Sequence, residues 1–407
     1  MRDSRNQHLC ALDIGTSKIV ALIGEITDDG ELNVIGKGEA PSRGMRNGMI
    51  TNIDVTSQAI KQAVDEAELM ADCSVHSVTL GITGSHLGSL NNQGVVKIKE
   101  GEVSQADIDR AIETARAVSV PPDHTILHCA VQEYIIDNQQ GVRDPKGMSG
   151  TRLDTRVHIV TGASSSIQNI EKCVHRVGLA VDDIVLQPLA SAEAVLTDDD
   201  KELGVCCLDI GSGTTDITVF TGGAVRHTAV IPVAGDLITK DLAQALRTPH
   251  ASAEYIKINH GIAIDAIHDE DLDEMIEVPS VGDRPSRQIS RRNLAAVIGP
   301  RAEELFCIVI NELSDAGFPE EQLASGIILT GGTSLLSGIV ELAEDVFNLP
   351  VRIGVPDVTG FFEIRNPKYA TVLGLLRQAY DKHLYVTYEK TNTPWLEKMA
   401  DWFRKYM

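Results

Sequence analysis

Two polar turns in this chain have the parts needed to hold a polyphosphate. In the first, the apolar run Leu9-Cys10-Ala11-Leu12 enters Asp13-Ile14-Gly15-Thr16-Ser17-Lys18 and leaves as Ile19-Val20-Ala21-Leu22-Ile23-Gly24. In the second, Val205-Cys206-Cys207-Leu208 enters Asp209-Ile210-Gly211-Ser212-Gly213-Thr214-Thr215-Asp216 and leaves as Ile217-Thr218-Val219-Phe220. Gly15, Gly211 and Gly213 let backbone N–H groups point into the turns, and Thr16, Ser17, Ser212 and Thr214 add hydroxyl donors. Asp13 and Asp209, one at each strand end, are acids placed to hold Mg²⁺ through water. An ordinary polar β-hairpin has the same composition, so one turn alone decides little, whereas two related turns favour phosphate. A third turn, Leu329-Thr330-Gly331-Gly332-Thr333-Ser334, precedes a helix expected from Leu335 and suits the nucleoside side of a ligand. None of the three has the GxxxxGK[ST] spacing of a Walker A loop.

Each turn needs a sheet and a helix behind it, and the sequence supplies both twice. In the first half, Ala59, Ile60, Ala63, Val64 and Ala67 form a helical stripe ahead of the strand Ser77-Val78-Thr79-Leu80-Gly81-Ile82-Thr83-Gly84. In the second, Pro300 suits a helix N-terminus, Leu305, Ile308, Val309 and Leu313 face one way, and Ile327-Ile328-Leu329 is the strand. Two copies of hairpin, helix and strand predict two related α/β lobes. The wider spacing from Asp209 to Thr330 than from Asp13 to Thr83 places an insertion at about 237–299. The first lobe carries its extra material at about 85–153, as a helix over 105–118 and a strand over 125–136.

Composition narrows the partners. The 407 residues hold 36 Lys and Arg against 58 Asp and Glu, a formal charge of -22, which argues against nucleic acid. Seven scattered cysteines without CxxC spacing fit a reducing cytoplasm. Neither a signal peptide nor a spanning helix is present, so a soluble cytoplasmic body is expected.

The C-terminal end departs from that body, because both tryptophans of the chain lie in its last thirteen positions. Residues 381–393 are polar and aperiodic, and Pro394 then suits the start of a helix. On it Trp395, Leu396, Met399, Trp402, Phe403 and Tyr406 fall within an arc of roughly 120°. Lys398 and Lys405 flank this stripe, where their stems can snorkel. Such a helix is about 22 Å long, too short for a hydrocarbon core of about 30 Å, but able to lie in the interface. A terminal helix docked on its own protein is the alternative. The tryptophans, the basic edge and a spacer reaching about 20 Å favour the membrane.

One stretch runs against the overall acidity. After the acid-rich 265–277 come Arg284, Arg287, Arg291, Arg292 and Arg301, with no acid from Arg284 to Arg301. Guanidinium forks suit a carboxylate-bearing partner, and pairing with the nearby acids is the equal alternative.

The paired turns resemble the phosphate loops of the actin, Hsp70 and sugar kinase superfamily, with Thr330–Ser334 similar to its adenosine turn. Within it the chain resembles the FtsA family of bacterial division proteins. Four stretches carry that likeness over nearly the whole chain: Pro41-Ser42-Arg43-Gly44-Met45, Ala67-Glu68-Leu69-Met70-Ala71-Asp72-Cys73, Gly204-Val205-Cys206 with Asp209-Ile210-Gly211, and Tyr369-Ala370-Thr371-Val372-Leu373-Gly374-Leu375-Leu376. Ser212 and Gly299 depart from the commonest pattern.

The resemblance implies an α/β actin-like fold: two ribonuclease-H-like lobes with inserted subdomains and a C-terminal amphipathic helix. Subdomain 1A would span 1–84, 165–196 and 359–380, and the inserted 1C 85–164. Subdomain 2A would span 197–236 and 300–358, with 2B at 237–299, a flexible linker at 381–393 and a membrane-targeting helix at 394–407. It implies ATP and Mg²⁺ held by Asp13, Gly15, Thr16, Ser17, Lys18, Asp209, Gly211, Ser212, Gly213, Thr214, Gly235, Gly331, Gly332 and Thr333. Glu254 and Lys257 would meet the ribose, and Gln187 would orient water, although a helix-start glutamine is the plainer account. It also implies an FtsZ C-terminal tail on 2B, at Arg287, Arg291, Arg292, Asn293 and Arg301. Self-association, contact of later divisome proteins such as FtsN with 1C, and attachment to the inner face of the cytoplasmic membrane at the division site complete the set. Nucleotide would control assembly, with at most weak hydrolysis. A sugar or acetate kinase would need an acceptor-site base that has no motif here, and a chaperone ATPase would need a longer chain. A membrane-bound cell-shape actin of the MreB type is the nearest alternative.

Overall fold

The computed structural model describes residues 8–264, 273–282, 284–358 and 361–391. Two five-stranded sheets share one topology. The first runs Ala180–Leu186, Ser77–Ile82, His8–Ile14, Lys18–Ile26, Leu32–Pro41, and the second Val351–Ile353, Ile327–Thr330, Val205–Ile210, Thr215–Thr221, Ala224–Ile231. In both, the first three strands are parallel and the last two antiparallel. The strands entering both glycine turns are therefore the middle strands, and each turn emerges at the carboxyl end of its sheet, where open α/β sheets place ligands.

The expected helical stripe of the first lobe lies on Ile53–Ala71. Asn52 caps it by accepting the Val55 N–H, and Ala59, Ile60, Ala63, Val64 and Ala67 are buried on the sheet with Leu12, Ile14, Ile19 and Ile23. Its counterpart in the second lobe, Arg292–Asp315, presses Ile298, Leu305, Phe306 and Val309 onto Leu208, Ile217 and Leu329. Between the lobes, Ala370–Thr391 packs beside Gln187–Val195, with Leu373, Leu375 and Leu376 buried. The chain leaving Ile82 builds a third sheet, Leu87–Lys97, Arg152–Ala163, His124–Ile136, Gln139–Val142, which buries its own core against the helix Gln105–Arg116. Ser104 and Asp107 form a capping box at the start of that helix.

Three expectations are corrected. Pro300 does not begin its helix but sits inside Arg292–Asp315. An interior proline costs about 3 kcal/mol, and the buried stripe on both sides of it, Leu294 to Leu313, outweighs that. The third turn does not open a helix at Leu335: a 3-10 turn, Gly332–Leu335, intervenes, and Ile339–Phe347 begins only after Gly338, at φ 75°. Residues 381–391 of the expected linker are helical, continuing Ala370–Thr391. They contain neither glycine nor proline, so an already formed helix extends through them without a second nucleation cost.

Candidate phosphate-binding cleft

The two turns face each other across a cavity of about 810 Å³ between the lobes. They close alike: the Gly15 N–H donates to Lys18 O at 3.0 Å and the Gly211 N–H to Thr214 O at 2.9 Å. They also touch. A Cβ built on Gly213 would lie 2.5 Å from Thr16 Oγ1 and 2.8 Å from its Cγ2, so only glycine lets the loops approach this closely. The third turn locks onto the second, with Thr333 Oγ1 donating to Gly211 O at 2.8 Å. Gly331, at φ 82°, tucks its backbone under Asp209, where a Cβ would stand 2.3 Å from Oδ1.

Three carboxylates converge on this floor, each held by a side chain from elsewhere in the fold. Asp13 Oδ1 accepts from Gln187 Nε2, Asp209 Oδ2 from Thr371 Oγ1, and Asp216 Oδ1 from Thr83 Oγ1, all at 2.8 Å. Burial pushes the Asp13 carboxyl up to about 7, opposed by Lys18 and reinforced by Asp209. Asp209 is raised chiefly by burial, and Asp216 well above its ordinary value by burial and then by Asp209. Buried acids that repel one another suit a site completed by a cation. Among the described residues no three His, Cys, Asp or Glu side chains form a direct metal-ligand group, so a cation held here would meet these acids through water. Lys18 supplies the opposite charge. Its ammonium has no hydrogen-bond partner, and burial lowers it to about 8. The donor set therefore fits a magnesium-bearing polyphosphate.

Asp13, Gly15 to Lys18, Asp209, Gly211 to Thr214, Glu254, Lys257 and Gly331 to Thr333 all line the cavity, as does Gln187. Gly235 stands behind it. It opens the helix Gly235–Ala245, and its N–H is spent on Gly211 O at 3.1 Å. Lys257 bonds Gly235 O at 2.9 Å, Thr239 Oγ1 at 2.8 Å and Glu254 at 2.8 Å, which ties the two residues expected at the ribose to each other. Sequence reasoning assigned no role to Thr83, Glu39, Asn366, Lys368 or Thr371, which also line the cavity. Nothing local marks them, because they reach it from other elements.

Arg287, Arg291, Arg292 and Arg301 each have a partner within the chain. Arg287 donates to Leu246 O, Arg291 Nε to His260 O at 3.0 Å, and Arg292 Nε meets Asp273 at 3.4 Å. Arg301 pairs with Asp241 and Glu304, and Asn293 is exposed. Trp395, Leu396, Lys398, Met399, Trp402, Phe403, Lys405 and Tyr406 lie outside the described residues.

Duplicated sheets with facing glycine turns define the actin-like ATPase fold. Among solved structures the chain is similar to the PilM-PilN type IV pilus biogenesis complex, at TM-score 0.65 and 16% identity over 91% of this chain and 98% of that one. It is likewise similar to MreB5 of Spiroplasma citri bound to ADP, at TM-score 0.59 and 15% identity over 94% and 98%. Sequence then gives the family. The family described as Cell division protein FtsA matches residues 206–374, and the SHS2 domain inserted in FTSA matches 84–161. Relatives named Cell division protein FtsA are 59% identical in Neisseria meningitidis, over 93% of this chain and 91% of the relative, and 44% identical in Escherichia coli, over 97% of both. The chain belongs to the FtsA family of cell division proteins.

Proposed function

We propose that this chain binds ATP with Mg²⁺ between its lobes and couples FtsZ filaments to the inner face of the cytoplasmic membrane at the division septum. The observation that carries the nucleotide part is the meeting of two glycine turns, three buried acids and an unbonded lysine in one cavity. Gly15 to Lys18 and Gly211 to Thr214 would hold the phosphates. Asp13 and Asp209, with Asp216 beside them, would hold the cation through water, and the cation would neutralise charge on the phosphate chain. Gln187, whose Nε2 donates to Asp13 Oδ1, would orient a water there.

Thr16 against Gly213 and Thr83 against Asp216 bridge the lobes, so occupancy of the cleft favours the closed form and, through it, self-association. Turnover is secondary to that control. The structural neighbours support assembly, since one is described as the MamK double helical filament, at TM-score 0.53. The FtsZ tail would dock on 2B near Arg301, later divisome proteins such as FtsN on the inserted sheet, and the tail helix of 394–407 on lipid. Among the described residues no helix is long and apolar enough to cross a membrane, and the apolar stripe and flanking lysines in the sequence of 394–407 support attachment through that end. An MreB-like cell-shape role is less supported, because the relatives are named FtsA and the insertion matches the domain inserted in that family.

Co-sedimentation of the full chain with anionic liposomes, with and without FtsZ and ATP, tests this function. FtsZ should pellet with lipid only when this chain is present, and FtsZ left in the supernatant would refute the tethering role.

A further inference from the structure

Lys18 closes the first phosphate turn, yet its ammonium points at an aromatic ring. The Nζ lies 4.2 Å from the centre of the Tyr369 ring and 4.0 Å from Glu39 Oε2, enclosed and without a hydrogen bond. The same Glu39 oxygen accepts the Tyr369 hydroxyl at 2.9 Å. Lys368 and Lys37 face that ring too, at 4.7 and 5.3 Å, and Lys37 is paired with Glu363 at 3.3 Å.

This arrangement has an unusual chemical property. An enclosed ammonium ordinarily meets its charge and its N–H groups with one carboxylate, which then occupies the donors. Here the two needs are separated. The ring face attracts the charge and takes up no donor. Glu39 offsets the charge from beyond hydrogen-bond reach, because the Tyr369 hydroxyl holds its oxygen. Lys18 is left charged, in place and with its donors unspent, on a residue that lines the cavity.

We propose that Tyr369 and Glu39 are positioning residues that keep Lys18 as an open-donor cation for the phosphate chain of the bound nucleotide. The inference rests on the nucleotide reading above and adds how this site selects a charged phosphate over the bare nucleoside. The tyrosine hydroxyl is the controlling atom. Without it, the Glu39 carboxylate is free to close on Lys18 and take the donors the phosphate would use. A second change that removes the Glu39 charge then lifts that competition.

The test is a binding titration of the full chain with ATP and with adenosine, on the wild type, Tyr369→Phe and the double variant Tyr369→Phe with Glu39→Gln. Phenylalanine keeps the ring and its packing, which limits any folding defect, and thermal melting of each variant checks for one. In Tyr369→Phe the Kd for ATP should rise about tenfold, the equivalent of one charge-assisted hydrogen bond, while that for adenosine stays the same. The double variant should recover to within about threefold of wild type for ATP. ATP binding unchanged in Tyr369→Phe, equal loss of ATP and adenosine, or a double variant no better than the single would each overturn the inference. A wild-type chain that binds no ATP would overturn the nucleotide reading as well, and that result is seen before any variant is made.

Discussion

His158 Nε2 lies 2.9 Å from Thr228 Oγ1, a buried contact that fastens the inserted sheet to the edge strand of the second lobe. Its other ring nitrogen meets Asn91 Oδ1 at 2.8 Å. The Asn91 amide nitrogen donates to Arg226 O at 3.1 Å and Gln132 Nε2 donates to Asn91 Oδ1 at 3.0 Å, so that oxygen is an acceptor facing His158. The network thus assigns the proton to Nδ1 and leaves Nε2 to accept the Thr228 hydroxyl. Ser89 Oγ on Thr228 O, at 2.7 Å, and Gln132 Nε2 on Val225 O, at 3.0 Å, cover the edge of the second sheet with side chains of the insertion.

That network makes stability depend on pH. Burial, with His227 and His128 adding to it, pushes His158 from 6.5 down to about 3. The unfolded chain therefore binds a proton between these values and the folded chain does not, so the contribution is complete above 6.5 and is lost as pH falls towards 3. One such group removes about 2 kcal/mol between pH 7 and pH 5. His158→Gln should lower Tm at pH 7 and reduce the further loss on going to pH 5. Parallel melting curves for variant and wild type across that range would contradict the assignment.

Gly213 should tolerate no side chain. Valine there would strike Thr16, a β-branched residue with little rotamer freedom, and drive the two turns apart. Gly213→Val is expected to weaken ATP binding at least tenfold while each lobe keeps its core, with Tm within a few degrees of wild type. Thr16→Gly removes all the clashing atoms, so adding it should restore part of the affinity. An isothermal titration showing wild-type binding in Gly213→Val would exclude the second turn as a phosphate cradle.

What the sequence made legible was local. The hairpins, their glycines and the stripe on Ile53–Ala71 are set by neighbours within a few residues, and they stand where the apolar runs, the glycine turns and helical spacing put them. The partners of the acids were not legible. Thr83 meets Asp216 across 133 residues and Thr371 meets Asp209 across 162, distances over which no local pattern speaks. Pro300 misled because a general preference for helix starts yielded to the core packing of Phe306 and its neighbours. The polar 381–391 misled for the opposite reason, since lack of periodicity does not stop a helix that is already under way.

Arg301 offers a test with two opposite outcomes. Its guanidinium is shared between Asp241 and Glu304, so a carboxylate from a partner must compete with internal ones. Arg301→Glu should reduce the affinity for an acidic FtsZ tail peptide at least tenfold, and Asp241→Asn, which removes one competitor, should strengthen it about twofold to fivefold. Fluorescence anisotropy of the labelled peptide reads both. An unaffected titration with both variants would place the docking surface away from Arg301.

The helix reaching Thr391 changes what is expected of the C-terminal end. The helical residues 381–391 span about 16 Å in place of a coil, with Lys382 tying their first turn to Asp183. A spacer of that length would exceed the roughly 8 Å screening length at physiological salt and let a chain of formal charge -22 stand clear of an anionic bilayer. A short amphipathic helix binds weakly alone, and several on one filament bind firmly, because each later contact is intramolecular. Removing residues 393–407 should therefore abolish sedimentation with anionic liposomes and leave the Kd for ATP within about twofold, since the cleft and its supports end before Thr391. Wild-type liposome binding should rise steeply with protein concentration as self-association sets in. A truncated chain that still pellets with lipid would move the membrane contact onto the body.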